Sequence, residues 1–133
     1  MLVVAVAVAL LSFFPKDTVI LQAGGLRYTL RISSTPQEQH LGLGKRSSLP
    51  EDQGMLFAFD TAATQCFWMK DMHFPLDIIW VSSDKKVDYI MNAVSPTTYP
   101  HVFCPKIPAK YVIELNAGQA KRASIHTGGV LEF

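Results

Sequence analysis

Residues 54–81 read GMLFAFDTAATQCFWMKDMHFPLDIIWV, three apolar runs separated by polar and proline-containing breaks. Gly54–Phe59, Gln65–Lys70 and Leu76–Val81 are each short for a helix, and they carry the aromatic and branched side chains that fit a pleated sheet. They are expected to form central strands. Upstream, Thr18–Gln22 and Leu26–Ile32 flank Ala23-Gly24-Gly25, a connection suited to a hairpin. Thr35-Pro36-Gln37-Glu38 supplies an N-cap hydroxyl, a proline at the first helical position and a glutamate able to reach back to the cap. One short helix is expected from there to about Leu43, ended by Gly42 and Gly44. Downstream, a turn at Ser82–Lys85 leads into a strand over Val87–Val94. A long proline-spaced loop, Ser95–Pro108, then precedes a strand over Tyr111–Leu115. Ala117–Ser124 is expected to make a helical turn and Gly128–Phe133 a last strand. Seven or eight strands with one or two short helices predict a compact all-β sandwich or barrel, one domain over residues 17–133.

The chain has 133 residues, 49% hydrophobic and 17% charged, which disfavours disorder and coiled coil. Twelve Lys and Arg against eleven Asp and Glu give a formal charge of +1, so there is no basic field to hold a nucleic-acid backbone. Residues 2–14, LVVAVAVALLSFF, are uncharged and apolar. A spanning helix needs about 20 such residues, whereas about 10–14 suit a signal core or a buried element. No Lys or Arg precedes the run and its small-residue triplets lie inside it, which argues against signal cleavage. Its Val-Ala alternation also suits a buried strand. The expectation is an export signal or membrane anchor over residues 1–16, placing the domain outside the cytoplasm.

Charges interrupt the apolar strands. In Leu76–Val81 the period of two puts Asp77 with Ile79 and Val81, and in Lys110–Leu115 it puts Lys110 and Glu114 on the same side as Val112. Buried carboxylates are costly unless paired. These residues are expected either to make structural pairs or to converge on a ligand cleft formed by Phe67, Trp68, Lys70, Asp71, Asp77, Lys110 and Glu114. No G-x-S-x-G, H-E-x-x-H, P-loop or dinucleotide fingerprint is present, so a non-enzymatic module binding a small ligand or a protein, without cofactor, is favoured over a hydrolase built on clustered Asp, Glu and Lys.

The two cysteines, Cys66 and Cys104, suit one disulfide in an exported protein. The alternatives are buried thiols, a zinc site using Cys66, His73, His101 and Cys104, or a copper site using Met69, Met72 and His73. His40 and His126 are expected at the surface.

The strings GLGKRSSLPEDQGMLFAF (42–59), FWMKDMHFPLDIIWV (67–81) and PAKYVIELNAG (108–118) resemble those of the domain-of-unknown-function family DUF192. The resemblance spans about Leu26 to Val130. It implies a compact all-β fold, and it carries over no reaction, substrate or catalytic residue. One departure concerns Gly44, which follows Leu43 where a methionine is common in the family.

Overall fold

A computed structural model describes residues 17–133; the expected export or anchor segment, residues 1–16, lies outside the described residues. β1 (Thr18–Ala23) and β2 (Leu26–Ser33) form the expected antiparallel hairpin. Gly24 and Gly25 both take positive φ, 56° and 76°, the conformation that a two-residue turn demands. α1 (Pro36–Leu41) begins as expected, with Thr35 and Glu38 closing a reciprocal capping box, and its last residue lies two short of the expected Leu43, with Gly42 as the C-cap. The remaining strands are β3 (Gln53–Ala63), β4 (Phe67–Trp68), β5 (Leu76–Val81), β6 (Val87–Val94), β7 (Val102–Phe103) and β8 (Ala109–Asn116), followed by α2 (Gln119–Arg122).

Six strands make one sheet in the order β1-β2-β3-β8-β5-β6, and β4 pairs with β7 in a small second sheet. β2 and β3 are parallel, with α1 in the connection between them; the other pairs are antiparallel. The fold is all-β, as the alternation of apolar residues implied. Two expectations are corrected. Gln65–Lys70 contributes only the two residues of β4, because its partner is the equally short β7 within the proline-spaced loop. Gly128–Phe133 is no full strand. It makes single bridges, Gln22 with Glu132 and Lys86 with Val130, and so touches both outer strands of the large sheet.

The period of two sorts the core into two layers, one on each face of that sheet. Leu21, Leu30, Leu56, Ile79, Val81, Ile113 and Leu115 share one face with residues of α2 and the C-terminal segment. Met55, Phe57, Ile78, Trp80 and Val112 occupy the other face beneath β4, Leu43 and Leu49. Covering both faces explains why all six residues of β5 are buried. Gly54 sits where a Cβ would lie 2.5 Å from the Glu114 carbonyl oxygen, so only glycine lets β3 run this close to β8.

Candidate functional site

On the Trp80 face, a cavity of about 90 Å³ opens between the end of α1, β3, β4 and β8. Its side walls are aromatic: Phe57, Phe59, Phe67 and Trp68. Phe57 and Phe67 meet edge to face at 4.8 Å, and Phe67 packs likewise on Trp80 at 5.8 Å. The Trp80 indole N–H donates to the Gln65 carbonyl at 2.9 Å, which anchors the approach to β4 on the central strand. Polar groups of Gln39, His40, Gln65 and Lys70 also line the cavity.

Glu114 lies within this wall. It is 4% exposed, and its Oε2 has no hydrogen-bond partner. Burial among apolar side chains penalises the charged form and pushes the carboxyl up from 4.5 to about 8. Gly42 keeps the space in front of it open: a Cβ there would stand 3.2 Å from Phe57 and 3.7 Å from Glu114 Oε2, and the residue's φ of 53° favours glycine. The Lys70 ammonium sits 5.3 Å from the Trp68 ring centroid, a cation–π contact, and His40 meets the same ring edge-on at 5.8 Å.

Of the seven residues expected to converge, Phe67, Trp68, Lys70 and Glu114 line the cavity, and Asp71, Asp77 and Lys110 do not. The sheet separates the two buried carboxyls. Asp77 shares a face with Ile79 and Val81, whereas Glu114 shares the opposite face with Val112. Asp77 is fully buried and accepts backbone N–H bonds from Ala93 at 2.8 Å and Ala120 at 2.9 Å, clamping β6 and α2 to β5. Lys110 donates to the Asp60 carbonyl at 2.6 Å, and Asp71 is an exposed turn residue at φ 58°. The Asp-Glu-Lys cluster needed for the hydrolase alternative is therefore divided between the two faces. Asp77→Ala leaves two amide groups without an acceptor and is expected to cost about 2–3 kcal/mol. Urea unfolding measures this; a change under about 0.5 kcal/mol would remove the clamp from the account.

The four-residue zinc set is also corrected. Cys66 and Cys104 are bonded to each other, with Cα atoms 4.3 Å apart, so neither offers the thiolate that a metal needs. Among the described residues no three His, Cys, Asp or Glu side chains cluster as metal ligands. Met69 of the copper set is a buried core residue, while His73 is exposed. His40 and His126 are exposed as expected, but His40 also lines the cavity, as do Gln39, Gly42 and Gln65. Sequence periodicity could not single these out, because they come from a helix end and a loop.

A mixed six-stranded sheet carrying a small aromatic-walled cavity over a buried carboxyl oxygen without a partner defines the class: an all-β domain with a recessed polar cavity. The chain belongs to the DUF192 family, described as uncharacterized ACR, whose model matches residues 19–133. It is similar in structure to a protein from Sinorhizobium meliloti 1021 that is provisionally described as a transcription regulator, with a TM-score of 0.79 and 30% identity, covering 86% of this chain and 91% of that one. It is also similar to a protein of unknown function from Novosphingobium aromaticivorans DSM 12444, with a TM-score of 0.79 and 29% identity, covering 92% of this chain and 89% of that one. No curated protein matches it.

Proposed function

We propose that this DUF192 protein is a non-enzymatic binding module working outside the cytoplasm, and that a small ligand, or a small group on a larger one, enters the Glu114 cavity. The observation that carries this reading is Glu114 Oε2, a buried acceptor without a partner at the edge of an open cavity. A buried polar group left unmet costs roughly 1–3 kcal/mol, and a ligand that brings a donor recovers it. The size of the cavity limits the ligand. An engineered cavity of about 150 Å³ takes benzene, so about 90 Å³ suits a group smaller than a six-membered ring. Amines, amides and short alcohols fit that description.

Trp68 in the wall supplies the readout. Titrating small amines, amides and alcohols against tryptophan fluorescence is expected to find compounds whose affinity drops about tenfold or more in Glu114→Gln, and whose signal is lost in Trp68→Phe. Equal responses from wild type and Glu114→Gln across the whole panel would sink the reading. The exposed disulfide supports placement in an oxidising compartment. Among the described residues no helix is long and apolar enough to cross a membrane. A topology reporter fused to residues 1–20 is expected to be exported; one that stays in the cytoplasm rules the placement out.

A further inference from the structure

Leu41 and Gly42 form a wall shared with a second cavity, of about 230 Å³, on the side facing β2. Three cations line it: Arg31 from β2, and Lys45 and Arg46 from the loop after α1. Glu38 is its one lining carboxylate, and it serves the α1 capping box. The chain as a whole carries a formal charge of +1, so this positive charge is a local concentration. Among the described residues, Arg31, Lys45 and Arg46 make no ion pair.

The second observation is Ser33, which also lines this cavity. It is 1% exposed and its hydroxyl has no hydrogen-bond partner. Buried hydroxyls are normally satisfied, so an orphan beside three unpaired cations marks a missing acceptor. The loop that brings up Lys45 and Arg46 is held in place. The Gly44 N–H donates to the Leu41 carbonyl at 2.9 Å, and the Lys45 N–H donates to the Asp71 carbonyl at 2.8 Å. A Cβ at Gly44 would lie 2.8 Å from the Leu41 carbonyl oxygen, so glycine is what permits this tight return.

We infer that this second cavity is an anion-binding site that takes a tetrahedral oxyanion, a phosphate or sulfate group carried on a small molecule or polymer. Guanidinium forks and an ammonium complement such oxygens, and the donors arrive from β2 and from the loop rather than in one plane. A planar carboxylate would use fewer of them. Arg31, Ser33, Lys45 and Arg46 line this cavity and not the Glu114 one.

Isothermal titration of the oxidised protein at low ionic strength, with inorganic phosphate, sulfate, acetate and chloride as probes, tests the inference. Phosphate and sulfate are expected to bind at least about tenfold more tightly than acetate or chloride. Arg31→Gln and Arg46→Gln are each expected to weaken binding about tenfold. Arg46→Gln lies outside the sheet, so it keeps the test valid if the strand substitution unfolds the protein. Ser33→Ala should weaken the oxyanions several-fold while leaving the melting temperature of the unliganded protein unchanged or higher. The tighter of glycerol phosphate and sulfate identifies the source of the group. Acetate or chloride binding equally well, or oxyanion affinity indifferent to Arg46→Gln and Ser33→Ala, overturns the inference.

Discussion

Between pH 5 and pH 9 the wild-type protein is expected to lose stability relative to Glu114→Gln, by up to roughly 4 kcal/mol. The cause is the buried carboxyl, which titrates near 4.5 when the chain is unfolded and near 8 when it is folded. Below pH 4.5 both states hold the proton and the group contributes no pH dependence. From there to about 8 the folded state retains a proton that the unfolded state has released, so rising pH favours unfolding. Above 8 both states are ionised and the loss levels off. His40 and Lys70 also line the cavity, and comparison with Glu114→Gln leaves them in place while removing the carboxyl. Urea unfolding of both proteins at pH 5, 7 and 9 gives the difference directly. Parallel profiles would show that the Glu114 carboxyl is solvated or paired in solution.

Removing the disulfide is the other large expected effect. The bridge closes a loop with a sequence separation of 38 residues, for which the chain-entropy model gives about 4 kcal/mol. The doubly substituted protein, Cys66→Ser with Cys104→Ser, should therefore unfold at clearly lower urea concentration than the oxidised wild type. Damage should concentrate at β4 and β7. These pair through only Phe67 with Phe103 and Trp68 with Val102, and two-residue strands hold little by themselves. Hydrogen exchange is expected to rise first around Cys66–Trp68 and in the loop before Pro108, while the six-stranded sheet stays protected. Uniform destabilisation with no local change would mean that β4 and β7 are held by packing alone.

The large sheet was legible because its strands alternate over five or more residues. Leu76–Val81 displays its two faces without ambiguity, and the placement of Asp77 opposite Ile78 and Trp80 follows from counting alone. The hairpin and the start of α1 were legible because Gly24-Gly25 and Thr35-Pro36-Gln37-Glu38 state their local geometry in residue types. Neither β7 nor the shortness of β4 could be read, because a two-residue strand has no periodicity and is defined by its partner. The cleft was legible only in part. Phe67, Trp68, Lys70 and Glu114 come together, yet Asp77 and Glu114, both carboxylates within apolar strands, fall on opposite faces. Which faces of β5 and β8 match depends on their register, Ile78 beside Glu114 and Asp77 beside Leu115, and that is a long-range property. Ser33 gave no signal, since a serine at a strand end is ordinary until the neighbours are known.

The C-terminal segment, which bridges to β1 at Gln22 and to Lys86 just ahead of β6, has a consequence for solubility. Outer strands of an open sheet present unpaired amides and carbonyls to other chains. Here the Gln22 N–H donates to the Glu132 carbonyl and the Val87 N–H to the Gly129 carbonyl, so one short stretch occupies pairing groups at both margins. A chain clipped ahead of Gly128 would keep its strands and much of its core, yet it would carry two adhesive margins. Such a fragment should self-associate through strand addition at concentrations where the intact protein does not.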